Sequence, residues 1–246
     1  MINLVLPMAG RGSRFLKAGN TIPKPLMLVH GKPFFWWAIR SVERVTSIDE
    51  LICIVLQEHV DYFDIDTQIK HFFPEARFVV LSEVTAGAFD TALIGINTLT
   101  STKPILINDC DHAFDAQGIA SCLAALNSHQ YDALLCHFHS TSPNFSYAQY
   151  HLDGILKHTA EKKVISNLAI AGLYGFHSPA ILREIASTYR AECVYDELFI
   201  SGVFNLLAQK RMHTRGFLLP QHVSFGTPEE LIFSKNKTDL FEYLTG

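Results

Sequence analysis

The chain is short of the features that assign a protein quickly. Its 246 residues carry no GxxxxGK[ST], no HExxH and no CxxC, which leaves a P-loop, a zincin helix and a paired-thiol site unsupported. The cysteines, Cys53, Cys110, Cys122, Cys136 and Cys193, are odd in number and mostly sit in apolar segments. That excludes a disulfide framework and predicts reduced thiols in a cytoplasmic protein. Apolar runs fall well short of the roughly 20 residues a membrane helix needs, and the first meets glycine and arginine too soon for a signal peptide, so no membrane insertion is expected. Basic residues do not dominate either. The net charge is −4 with lysines and arginines scattered, which offers no footprint for nucleic acid. What remains is 48% hydrophobic, enough for a substantial core, and the expected partners are small molecules. A homo-oligomer stays open.

Residues 4–32 read LVLPMAGRGSRFLKAGNTIPKPLMLVHGK. Leu4, Val5 and Leu6 predict a buried strand that stops at a glycine-rich, basic loop. Gly10 and Gly12 permit close backbone approach or positive φ, and Arg11, Arg14 and Lys24 bring charge, a combination suited to a nucleoside triphosphate. Gly10, Gly12 and Phe15 occupy the GxGxxG positions, so the third glycine of a Rossmann fingerprint is missing. The same loop also reads as a plain strand-to-helix turn, and Pro23-Lys24-Pro25 as a rigid surface turn.

Apolar runs at 51–57, 76–82, 104–109 and 132–138 alternate with helical patterns at 33–44, 86–99 and 116–128. That alternation predicts an α/β fold with a Rossmann-like, mostly parallel sheet flanked by helices. Further helices are expected at 179–189, 196–210 and 228–244, and the FFWWAI block of the first helix reads as core. A small antiparallel region is expected over 147–176, turning at Asp153-Gly154. One domain over 1–246 accounts for the whole, with a nucleotide-binding half to about 140 and an acceptor-binding half after it. The loops after the first, third and fourth strands would meet at the carboxyl ends of the sheet.

Asp109 and Asp111, at the end of an apolar strand, can hold Mg²⁺ or cap the next helix. TAGAFDT at 85–91 reads as a helix start with Thr85 as cap, or as a backbone approach to a base at Gly87. Glu161-Lys162-Lys163 alone is a surface charge run.

In order, AGRGSRF, IPKPL and GKP before a helix resemble the N-terminal signature of the sugar-phosphate nucleotidylyltransferases, the nucleoside-diphosphate-sugar pyrophosphorylase family. The likeness implies a GT-A-like nucleotidyltransferase fold, in a compact form without a C-terminal left-handed β-helix domain. It implies that Pro7, Met8, Ala9, Gly10, Arg11, Gly12 and Ser13 wrap the nucleotide, that Arg14 and Lys24 meet the triphosphate, and that Glu83, Gly87 and Asp109 complete the nucleotide site. Asp111, helped by Asp109, would hold Mg²⁺. On the acceptor side, AEKKVISNLAIAGLYGF at 160–176 matches the family's EKP element and the strand after it. Glu161 would bind acceptor hydroxyls, Lys162 the acceptor phosphate, and Tyr147, Asn167 and Gly172 would line the pocket.

Two positions depart from the pattern: Ser224, in SFGTPEEL, and Gly202 stand where relatives carry aspartate. The implied enzyme is a transferase: metal-dependent nucleotidyl transfer from a nucleoside triphosphate to a sugar phosphate or small phosphorylated alcohol. Pyrophosphate leaves, and the nucleotide-sugar-type product serves surface polysaccharide synthesis. The alternatives are a GT-A-type glycosyltransferase, which has no triphosphate for the PKP lysine to neutralise, and a non-catalytic nucleotide-binding protein.

Overall fold

In the computed structural model, which describes residues 1–245 with 116–118 as backbone, the first apolar run becomes a central strand because both of its faces are covered. Strands β1 (Ile2–Pro7), β2 (Leu28–Val29), β3 (Lys32–Pro33), β4 (Ile48–Leu56), β5 (Arg77–Leu81), β6 (Ile105–Asn108), β7 (His112–Phe114), β8 (Ala133–His139), β9 (Tyr147–Tyr150), β10 (Leu156–Ala160), β11 (Leu168–Phe176), β12 (Thr214–Leu218) and β13 (His222–Ser224) are interleaved with ten helices among the described residues. The helices are α1 (Ser13–Lys17), α2 (Phe34–Glu43), α3 (Gln57–Phe63), α4 (Ile65–Phe72), α5 (Ala88–Ile96), α6 (Ala116–Asn127), α7 (Pro179–Glu192), α8 (Ile200–Gln209), α9 (Pro228–Ser234) and α10 (Thr238–Thr245).

The nine-stranded main sheet follows the order β10-β9-β11-β6-β1-β4-β5, with β8 and β12 continuing from β11. Pairings β1–β4, β4–β5, β1–β6 and β8–β12 are parallel, while β11 runs against β6, β8 and β9, and β10 runs against β9. The sheet is therefore mostly parallel, with only β10 and β11 reversed. Alternation along β1 splits the core: Leu4 and Leu6 pack with α2, α4 and α6, whereas Val5 packs with α5, α7 and α8. Burying Phe35 and Ile39 of α2 contributes about 1.5–3 kcal/mol each.

Three differences from the sequence reading bear on the site. The helix expected over 228–244 is two, because the chain turns at 235–237, where Asn236 N and Lys237 N bond back to Phe233 O and Ser234 O. The helix expected from 196 starts at Ile200, because residues before it pair with the start of α5: Leu198 N donates to Ala86 O at 3.1 Å and Phe89 N to Leu198 O at 2.9 Å. The third is the antiparallel β7–β13 pairing, Ser224 opposite His112, which returns the C-terminal segment to the end of β6. An aromatic cluster of Phe15, Phe34, Trp37, Phe225 and Phe241 locks α1 and the glycine loop to that segment. The Asp153-Gly154 turn forms as expected, with Gly154 at φ +82° and Asp153 Oδ1 accepting from Ile155 N at 2.9 Å.

Candidate active site

Loops at the carboxyl ends of β1 and β6 and at the end of β10 enclose a cleft of about 420 Å³. Gly12, Ser13, Arg14 and Lys24 form one wall, Asp109 and Asp111 the floor, and Glu161 and Lys162 the opposite wall. A recess of about 110 Å³ opens from it past Arg14, Asp109 and Asp111 to Gly172, His222 and Ser224.

Pro23, with ψ 136°, and Pro25 flank Lys24, which starts a single 3₁₀ turn and projects its ammonium across the cleft floor. Its Nζ lies 3.0 Å from Asp111 Oδ2. Gly12 adopts φ +60°, and a Cβ there would stand 3.1 Å from Lys24 Cβ, so the glycine loop can lie directly on the lysine. Burial disfavours the ammonium, but the carboxylates of Asp111 and Asp109 outweigh it and the Lys24 pKa rises. Burial likewise opposes charge on Asp111, and the adjacent Lys24 outweighs it, holding that carboxyl below its usual range.

Asp109 differs. Burial, with Asp111 and Glu161 both negative nearby, pushes its pKa up to about 7 against the opposing pull of Lys24. Its backbone N–H donates to Gly172 O at 2.9 Å, and a Cβ on Gly172 would stand 2.7 Å from Asp109 Oδ2. Gly172 sits at φ +69° where the β11–β8 register shifts, so glycine is needed there for conformation and for space.

The C-terminal segment closes the floor. Phe225 N donates to Asp111 O at 2.9 Å. Ser224 Oγ donates to Glu230 Oε2 at 2.7 Å, and Gly226 N donates to the same oxygen at 3.0 Å. Thr227 caps α9 by accepting from Glu230 N at 3.2 Å. A Cβ on Gly226 would overlap Asp111 Oδ2 and stand 3.5 Å from Glu230 Oε2. A carboxylate thus lies beside Ser224, that of Glu230 on α9. Beneath the floor, Asn108 Nδ2 donates to Ala38 O, so Asn108 Oδ1 accepts from His112 Nε2 at 2.8 Å, and His112 Nδ1 lies 3.1 Å from His222 Nε2. Burial holds His112 down at about 4, so it is neutral near pH 7, and its Nδ1 then accepts from His222 Nε2–H.

On the opposite wall, Ser146 Oγ and Ser201 Oγ both donate to Glu161 Oε1. Lys162 takes the left-handed φ +50° and its Nζ rests over the Phe199 ring, 5.4 Å from the centroid.

Eight residues singled out from the sequence therefore share one cleft, and Gly172 lines its recess. Others are placed elsewhere. Arg11 lines a separate recess with Glu58 and Tyr62. Met8 and Ala9 are buried and Pro7 half-buried at the end of β1, while Gly10 is exposed with open space where a side chain would go. Glu83 is exposed and is not among the cleft's lining residues. At Gly87 a Cβ would stand 2.5 Å from Leu198 N, so glycine is required there by a packed backbone. Tyr147 is fully buried with its hydroxyl donating to Ser142 O at 2.6 Å, and Asn167 is exposed beside Ser140, whose N–H bonds its carbonyl. Sequence reasoning missed Ser146, Ser201 and Glu230. Only Glu230 carried a signal, the T-x-x-E capping box of Thr227.

Solved structures share this architecture. A nucleoside-diphosphate-sugar pyrophosphorylase from Vibrio cholerae RC9 superposes with a TM-score of 0.82 at 24% identity, covering 95% of this chain and 99% of that one. The inositol-1-phosphate CTP transferase from T. maritima superposes at 0.78 with 12% identity, covering 98% of each. These likenesses establish the fold. Among curated sequences, the 2-C-methyl-D-erythritol 4-phosphate cytidylyltransferase of Lachnospira eligens is 22% identical over 111 residues, 44% of this chain and 45% of that protein. The UTP–glucose-1-phosphate uridylyltransferase of Komagataeibacter xylinus is 37% identical over 70 residues, 27% of this chain and 24% of that protein. The chain spans about half the length, or less, of the curated relatives it matches. The profile of the MobA-like NTP transferase domain matches residues 4–202, from β1 through Lys24, both aspartates and the Glu161-Lys162 wall to the start of α8, and the chain belongs to that family.

Proposed function

We propose that the protein is a nucleotidyltransferase that joins a nucleoside triphosphate to a sugar phosphate or similar phosphorylated alcohol and releases pyrophosphate. The observation that carries this reading is the cleft itself: Arg14 and the Lys24–Asp111 pair face Glu161 and Lys162 across one space. A phosphate oxygen of the acceptor attacks the α-phosphorus as the bond from that phosphorus to the β-phosphate oxygen breaks. The nucleophile is already anionic, so positioning and charge neutralisation supply the catalysis. Arg14 and Lys24 bind the triphosphate, with Lys24 kept protonated by Asp111. Lys162 holds the acceptor phosphate and Glu161 its hydroxyls.

The donor set fits Mg²⁺. Asp109 and Asp111 offer two carboxylates, and burial, with Asp111 and Glu161 nearby, raises the Asp109 pKa to about 7. Mg²⁺ takes one or two carboxylates and completes its shell with water and phosphate. When bound, Mg²⁺ neutralises triphosphate charge. The glycine loop from Ala9 to Ser13 would follow the nucleotide; Glu83 enters the proposal only at the base end, and Gly87, packed against Leu198, does not.

The names of the relatives support the substrate class, since a nucleotide sugar, inositol 1-phosphate and methylerythritol 4-phosphate are all polyol derivatives. The division into a nucleotide side (about 1–140) and an acceptor side (about 141–246) is proposed with one exception, the 222–230 segment that closes on Asp111. A cytoplasmic setting, where triphosphates are made, and a product destined for surface polysaccharide complete the proposal; the second rests on the likeness to compact family members. The test is pyrophosphate release from the four common triphosphates against several phosphorylated acceptors, with Mg²⁺ and with chelator. Metal-dependent release with one pair is expected. Nucleoside diphosphate release from a sugar nucleotide, with no pyrophosphate from any pair, would favour a glycosyltransferase instead.

A further inference from the structure

Glu161 stands one residue past β10, whose end is clipped to α8. Thr159 N donates to Asn205 Oδ1 at 2.8 Å, Asn205 Nδ2 donates to Thr159 O at 3.2 Å, and Thr159 Oγ1 donates to Ser201 O at 2.8 Å. On this fixed base, the Ser146 and Ser201 hydroxyls converge on the same Glu161 oxygen, Oε1. Neither serine is free to wander. Ser201 is 1% exposed in the first turn of α8, and Ser146 O accepts from Ile170 N of β11 at 2.8 Å. Two donated hydrogen bonds on one oxygen fix the rotamer of the carboxylate. Among the described residues Oε2 accepts no hydrogen bond, and Glu161 lines the cleft.

We propose that Ser146 and Ser201 form a two-hydroxyl clamp that orients Glu161, so that its second oxygen selects an acceptor carrying hydroxyl groups. Ser201 does not line the cleft, so it is a positioning residue: whatever it does to the acceptor, it does through Glu161. An oriented carboxylate oxygen rewards a directional O–H donor. A quaternary ammonium has no such proton and is attracted by the charge at any rotamer. The clamp therefore favours polyol phosphates over acceptors with a quaternary ammonium such as phosphocholine, which narrows the acceptor class and rests on the nucleotidyl-transfer reading above.

The experiment measures steady-state kinetics and calorimetric affinity with glucose 1-phosphate and phosphocholine as probes, on wild type, Ser201→Ala, Ser146→Ala/Ser201→Ala, Glu161→Ala and Ser201→Ala/Glu161→Ala. The double serine variant is expected to raise the KM or Kd for glucose 1-phosphate by roughly tenfold, the size of one charge-assisted hydrogen bond. The KM for the triphosphate and the affinity for phosphocholine should stay within about twofold, and Ser201→Ala should add nothing once Glu161 is already alanine, as for residues acting through one group. Unchanged glucose 1-phosphate affinity in the double variant overturns the clamp, as does a parallel rise in the triphosphate KM. Failure of the underlying reading looks different: wild type would release no pyrophosphate with any pair. The clamp is then decided by crystal structures, in which Glu161 holds one rotamer in wild type and spreads over several in the double variant; a carboxylate that stays in place overturns it.

Discussion

The two walls of the cleft are built by different means. The nucleotide wall is made of charges placed by short, stiff segments: a 3₁₀ turn between prolines carries Lys24, and a strand end carries Asp109 and Asp111. Its central contact joins two opposite charges 87 positions apart in sequence. On the acceptor wall the direction of Glu161 is set by uncharged neighbours, Ser146 in the loop before β9 and Ser201 in α8. On the first wall, charge and position are carried by the same residues. On the second they are separated, so one of its weakest points, Ser201, lies outside the cleft.

The sharpest way to break the comparison is to remove charge from the first wall. Lys24→Ala or Asp111→Asn should lower turnover by at least about a hundredfold, in line with losing one preorganised charge stabiliser. The check is the rate of pyrophosphate release by variants whose circular dichroism and Tm match wild type; near-normal release would show that the Lys24–Asp111 pair is structural.

Gly226→Ala removes no charge and tests position alone. Its new methyl would overlap Asp111 Oδ2 and turn that carboxylate off Lys24. A small displacement at a reacting centre can cost up to roughly a hundredfold, and a loss of about tenfold or more is expected in single-turnover measurements. If turnover holds while Lys24→Ala is dead, the precise position of Asp111 matters less than its charge.

How much of this could be read from the sequence follows the same division. Leu4 to Leu6, the glycine loop, Lys24 between its prolines, Asp109 and Asp111 at a strand end and the Asp153-Gly154 turn are local patterns, and the structure forms each of them. Tyr147 and Asn167 were read from their place in a motif, but side-chain direction on β9 and exposure at the edge of β11 depend on register. The fold sends one into the core and leaves the other on the surface. Gly87 was read as space for a base, yet the space is filled by Leu198, 111 positions later in the chain. The Ser146–Glu161–Ser201 clamp and the Ser224–Glu230 bond join common surface residue types across elements. Serine carries no periodicity or charge that would announce such a contact.

Asp109→Asn sharpens the comparison through pH. The folded pKa of Asp109, about 7, lies above its ordinary value of 3.8 because of burial and the negative charges of Asp111 and Glu161. The native state then binds more protons than the unfolded chain between about pH 4 and 7, so this group's contribution to stability falls as pH rises through that window and is level above it. Asparagine cannot ionise. The variant, free of nucleotide and metal, should therefore gain Tm over wild type between about pH 4 and pH 7 and keep that gain at higher pH, by a few degrees at roughly 2–4 °C per kcal/mol. Thermal melts at several pH values check it. A difference in Tm that does not change with pH would mean that Asp109 already has a cationic partner and that the negative surplus of the floor is absent.

The smallest effect expected is at Thr227, and it separates the floor's scaffold from its chemistry. Thr227 Oγ1 accepts from Glu230 N at the start of α9, while the Glu230 side chain takes bonds from Ser224 Oγ and Gly226 N beside Asp111. Thr227→Ala deletes the cap and leaves the Glu230 carboxylate its two donors. Loss of an N-cap threonine costs about 1 kcal/mol, which lowers Tm by roughly 2–4 °C in a chain of this size. Turnover should stay within about twofold, since one charge-neutral bond outside the cleft is removed. Glu230→Gln is the matched control: it keeps the helix start but puts an amide where Ser224 and Gly226 need a carboxylate, so activity should fall more than stability. If Thr227→Ala instead abolishes turnover at an unchanged Tm, the α9 start is part of the chemistry, and the nucleotide wall, like the acceptor wall, depends on uncharged residues held at a distance.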